Sequence, residues 1–96
     1  MKENKIKYDS NFDELHIIFG DREDNNQVII LDNNVMVELD DNDDIVDIIL
    51  PHFSRMLKTQ ISPYENFSLI SASFEEDSIT INLDWSGPPI NITLSI

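Results

Sequence analysis

The chain has 96 residues, of which 41% are hydrophobic, with two glycines, no cysteine and a formal net charge of −13. That size and apolar content fit one domain with its own core, while the missing cysteine excludes a disulfide framework, a thiolate metal centre and a thiol nucleophile. The charge repels nucleic acid and anionic membranes and attracts basic proteins or cations. It is unevenly spread: 13 acidic side chains and only Arg22 lie between Asp9 and Ser54, and residues 59–96 hold no Lys or Arg.

Read in chain order, period-two alternation dominates, the pattern of half-buried antiparallel strands. Strands are predicted over 4–9 and 14–20, where Leu15, Ile17 and Phe19 alternate with Glu14, His16 and Ile18. Two more, 27–32 and 35–40, flank Asp32-Asn33-Asn34, a tight hairpin because Asn and Asp tolerate positive φ better than other non-glycine residues. A fifth covers 44–50. At Pro51 the spacing changes: Phe53, Met56, Leu57, Gln60 and Ile61 predict a helix over 51–60, with Pro51 in its first turn and Pro63 beyond its end. Strands at 67–75, 78–85 and 90–96 complete the chain. Residues 85–96 contain no charged side chain. An exposed edge strand of that kind invites pairing with another chain, so the final strand is expected inside the sheet, with cover by the helix or pairing across a dimer as the alternatives. The lysines near the N-terminus precede no apolar run long enough for a signal peptide, and no run approaches a membrane span. Asn66-Phe67-Ser68 and Asn91-Ile92-Thr93 match a glycosylation sequon and are read as chance.

Lys5-Ile6-Lys7-Tyr8-Asp9, followed by Asp13-Glu14-Leu15-His16-Ile17, resembles the small bacterial family catalogued as domain of unknown function 2283. The family's later strands are matched by Val35-Met36-Val37-Glu38-Leu39-Asp40 and Asp44-Ile45-Val46-Asp47-Ile48-Ile49-Leu50. The resemblance covers residues 5–53 and implies a β-meander, not an activity. Some relatives are encoded beside small toxin-like proteins, which suits an antitoxin. The chain departs from the family at Asp41-Asn42-Asp43, where a glycine is usual, and residues 61–96 have no counterpart in its short members.

The acidic run Asp40–Asp44 fails as a helix–loop–helix calcium site, because Ile45 stands at the sixth position and Pro51 at the twelfth, where glycine and a bidentate glutamate are needed. His16 and His52 lack the spacing of a ligand pair. No glycine-flanked serine elbow or Gly-rich phosphate loop exists, and carboxylates are too plentiful to single out an acid–base pair. Phe53 and Trp85 read as core, and Tyr64, beside Pro63, as the exposed aromatic.

The fold expected is α+β: an antiparallel β-meander of about eight strands with one helix packed on the sheet. It forms a single domain over 1–96, with a family-like meander over 5–53, the helix at 51–60 and a three-stranded extension over 67–96. The function expected is a non-enzymatic, cytoplasmic acidic protein of antitoxin or immunity type, which neutralises a basic, nucleic-acid-handling partner such as a toxin or nuclease. Glu38, Asp40, Asp41, Asp43, Asp44 and Asp47 are the expected salt-bridge acceptors; Glu38 and Asp40, two residues apart on one strand face that Asp47 extends, imitate the spacing of a phosphate backbone. No catalytic residue, metal, cofactor, membrane or direct nucleic-acid contact is expected, and the state is monomer or homodimer. The alternatives are a phage-encoded nucleic-acid mimic that blocks a defence nuclease such as a CRISPR effector, and a structural or oligomerisation module built on the uncharged last strand.

Overall fold

The computed structural model describes residues 5–20 and 27–95. Within them lie β1 (Lys5–Asp9), β2 (Glu14–Ile18), β3 (Gln27–Ile30), β4 (Met36–Leu39), β5 (Ile45–Leu50), α1 (Phe53–Leu57), β6 (Ser68–Phe74), β7 (Ser78–Asp84) and β8 (Ile90–Ser95). All strand pairs are antiparallel. The β-rich composition with one helix agrees with the sequence reading. The single meander does not: the strands form two sheets, ordered β1-β2-β5-β4-β3 and β6-β7-β8.

The departure has a physical cause in β5. Val46, Asp47, Ile48 and Leu50 are all buried, so this strand needs a neighbour on each side. It takes β4 through Val37↔Ile48 and β2 through Ile17↔Ile48 and Leu15↔Leu50. Strands β2, β5, β4 and β3 thus make a Greek key, with β3–β4–β5 as its hairpin-linked part. The segment after β5 then leaves this sheet, and among the described residues β6–β8 pair only with one another.

The apolar faces of the two sheets meet in one core. Leu15, Ile17, Val37, Ile48 and Leu50 come from the first sheet, and Ile79, Ile81, Leu83, Ile92 and Leu94 from the second. The arrangement is a β-sandwich, the usual way for two half-apolar sheets to hide their faces. Fully burying a Leu or Ile side chain contributes about 1.5–3 kcal/mol, so this interface dominates stability. An aromatic cluster closes one end: Phe53 and Phe67 are edge-on at 5.5 Å, Tyr8 lies 6.2 Å from Phe53, and Trp85 stacks on Phe67 at 5.5 Å.

The hairpin turn between β3 and β4 has the predicted chemistry, with Asn33 and Asn34 both at φ 61°. The helix is shorter than the predicted 51–60. Lys58 turns left-handed at φ 56°, and the N–H groups of Lys58 and Thr59 donate to the carbonyls of Arg55 and Ser54. That is a Schellman ending, here with lysine where glycine is usual. The last strand is also a correction. β8 lies at an edge, because among the described residues it pairs only with β7.

Asp13 joins the first hairpin to α1. Its backbone is left-handed at φ 53°. Its carboxylate accepts from the Tyr8 hydroxyl at 2.6 Å, the Ser54 hydroxyl at 2.7 Å and the Ser54 N–H at 3.0 Å, while its carbonyl accepts from the Phe53 N–H. His52, the N-cap residue, makes no side-chain cap bond, so Asp13 supplies the helix cap from 41 positions away. Burial works to raise the Asp13 pKa, but the hydrogen bonds from Tyr8 and Ser54 and the charge of His52 outweigh it and hold the group below its ordinary value. Tyr8 moves the other way. Burial first, then its bond to Asp13 and the nearby carboxylate charges, push its hydroxyl up to about 12.

Candidate functional site at the acidic end of the sandwich

The β4–β5 turn is built by Asp40. Its carboxylate accepts the N–H groups of Asn42 at 2.9 Å and Asp44 at 3.0 Å, and its carbonyl accepts the Asp43 N–H. Asp43 stands left-handed at φ 62°, the conformation that a glycine would take without strain. This internal bonding fixes the loop and leaves Asp41, Asp43 and Asp44 exposed at its tip.

The six acidic positions singled out in the sequence therefore divide. Asp41, Asp43 and Asp44 are presented to solvent, and Asp40 shapes the turn that presents them. Glu38 is half-buried on the outer face of the first sheet, directly opposite Asp47 on β5. Asp47 is only 7% exposed, which corrects the expectation that it extends an open acidic face. Its outward strand position does face away from the core. Ile18 on β2 and Glu38 on β4 flank it there, and together with Val28, Met36 and Ile49 the neighbours cover it.

A second acidic turn, Glu75–Asp77 between β6 and β7, joins the first. The two sheets part at this end around a cavity of about 400 Å³. Asp43, Asp44 and Glu75 stand among its lining residues, and Ile29, Leu39, Ile45, Phe74 and Ile79 supply an apolar wall. Phe74 is half exposed and meets Phe19 edge-on at 6.2 Å. Sequence reasoning missed this meeting of Glu75 and Phe74 with the β4–β5 turn. The acidic run at 75–77 was the available signal, but nothing local ties it to residues 43 and 44.

A long aliphatic stem ending in a cation suits such a pocket: the stem covers apolar wall and the head reaches carboxylates. Elsewhere, His16 lies 3.4 Å from Glu14 on the outer face, and Tyr64 is 88% exposed, as its place beside Pro63 suggests. Phe53 is fully buried and Trp85 packs against the core, as expected of both. Among the described residues no three His, Asp or Glu side chains converge as a metal site, and no helix is long and apolar enough to cross a membrane. No family model, curated protein or solved structure matches this chain.

Proposed function

We propose that this protein is a non-enzymatic acidic binder that neutralises a basic, nucleic-acid-handling protein, in the manner of an antitoxin or immunity protein. The observation that carries the reading is the pocket at the end of the sandwich, where Asp43, Asp44 and Glu75 meet an apolar wall. A turn already ordered by Asp40 loses little entropy on binding, so its charges act at small cost. The partner is basic because a surface of net charge −13 steers cations toward it, and proteins that handle nucleic acid carry such cations. Lys or Arg side chains of the partner insert their stems into the pocket and pair with the carboxylates.

The test is capture from the native host with the full chain and with a variant carrying Asp43→Asn, Asp44→Asn and Glu75→Gln, followed by association kinetics on the captured protein. The wild-type chain binds a basic protein and inhibits its nuclease activity. Association slows about tenfold or more when salt rises from about 0.05 to 0.5 M, and slows comparably in the neutralised variant. A partner that binds both chains equally well at either salt concentration refutes the acidic site.

A further inference from the structure

Among the described residues four strands lie at sheet edges, and three of them carry a device that discourages further pairing. β1 has Lys5 and Lys7, β3 is only four residues long, and β6 is interrupted by a bulge between Leu69 and Ser71. β8 has none of these. It is six residues long, keeps an unbroken register with β7 from Ser78↔Ser95 to Leu83↔Ile90, and lies in a stretch, 85–96, without a charged side chain. An open groove of about 730 Å³ runs beside it, lined in part by Ile90, Ile92, Leu94, Met56, Leu57 and Trp85.

We propose that β8 pairs edge to edge with β8 of a second copy of this chain, antiparallel about a two-fold axis, so that two three-stranded sheets become one of six strands. Electrostatics fixes where a second copy can dock. Two chains that each carry −13 repel one another, and the uncharged stretch is where they approach at least cost. A basic protein finds no charge to recognise there, so the edge and the acidic end are addressed to different partners.

The strand is also complementary to itself. In a register centred on Ile92, position 90 pairs with 94 and 91 with 93 across the axis. Buried Ile90, Ile92 and Leu94 then stay on the core side, and exposed Asn91 and Thr93 stay on the outer side. The outer side already holds a ladder of side-chain hydrogen bonds. Asn82 donates to Ser71, Asn91 donates to Asn82, and Thr80 bonds Thr93. This ladder stops at β8, and the proposed register continues it with the polar pair 91 and 93.

Sedimentation of the full chain between about 1 and 100 μM tests the proposal, since a dimer is concentration-dependent by mass action. Wild type is expected at twice the chain mass. Thr93→Lys places two like charges near the axis and is expected at the monomer mass with an unchanged circular dichroism spectrum. Asn91→Lys gives the same reading should Thr93→Lys fail to fold. Ile30→Lys, on the exposed outer face of the other sheet, is expected to remain dimeric. A wild type that stays monomeric throughout the range overturns the proposal, and leaves the edge to an extended strand from another protein. A dimer that survives both β8 variants, or one that Ile30→Lys dissolves, overturns it as well.

Discussion

Removal of the Asp13 carboxylate tests the link between the first hairpin and α1. Three donors converge on it: the Tyr8 hydroxyl, the Ser54 hydroxyl and the Ser54 N–H. A hydrogen bond to a charged group contributes about 1.5–3 kcal/mol, but the three share one acceptor in a half-buried site and do not add. Asp13→Ala is therefore expected to cost about 2–4 kcal/mol, including strain from placing alanine at a left-handed position. Asp13→Asn tolerates that backbone and keeps one acceptor oxygen, so about 1–2 kcal/mol is expected. Urea unfolding followed by the single tryptophan measures both, with an unchanged slope as the sign that only stability moved. The pH dependence follows from the lowered Asp13 pKa. The advantage of wild type over Asp13→Asn is fully present above 3.8, the ordinary value, and is lost as pH falls through the lower folded-state value. An Asp13→Ala variant within about 0.5 kcal/mol of wild type refutes the account, because a side chain with no structural task sits in that range.

Two further outcomes rest on the same parts of the fold. Spectrophotometric titration should show a tyrosine step near 12 that Tyr8→Phe abolishes. Because folding raises this pKa above 10.0, the contribution of Tyr8 to stability is complete below pH 10.0 and is lost as pH rises through about 12. Lys58→Gly should raise stability by about 0.5–1 kcal/mol, the left-handed strain relieved less the extra freedom of glycine in the unfolded chain. In a domain of this size that is a rise of roughly 2–8 °C in Tm by calorimetry, and a fall in Tm contradicts the Schellman assignment.

The strands were legible because alternation is local, and each period-two run needs only its own side chains to declare itself. Asn33 and Asn34 were legible for the same reason, since their left-handed preference belongs to the residues themselves. Neighbour choice is not local. The pattern of β2 suits β3 or β5 equally, and only the burial of β5 on both flanks decides between them. The early end of α1 was hidden because lysine has no preference for the left-handed position that Lys58 takes. Asp47 was misjudged because outward was equated with solvated, whereas this outer face carries Ile18, Ile49, Met36 and Val28 around it. Nothing near Asp13 in the sequence marks its acceptor role, which depends on Ser54 arriving from a distant segment. For the candidate site, the tip of the β4–β5 turn was visible in sequence. Its junction with Glu75 and Phe74 exists only once the two sheets face each other.

The Greek-key pairing of β2 with β5 has a consequence for how the molecule assembles. The β1–β2 hairpin and the β3–β4–β5 unit can each zip up from neighbouring residues, but their seam from Leu15↔Leu50 to Ile18↔Asp47 closes a loop of about thirty residues or more. The charge is unequally divided between the pieces: residues 27–50 carry seven carboxylates and no Lys or Arg, while residues 5–18 carry three carboxylates against Lys5 and Lys7. Docking is thus opposed chiefly by loop-closure entropy, with the hairpin's two lysines offsetting most of its own acids, so the slow event in folding is the meeting of two preformed pieces.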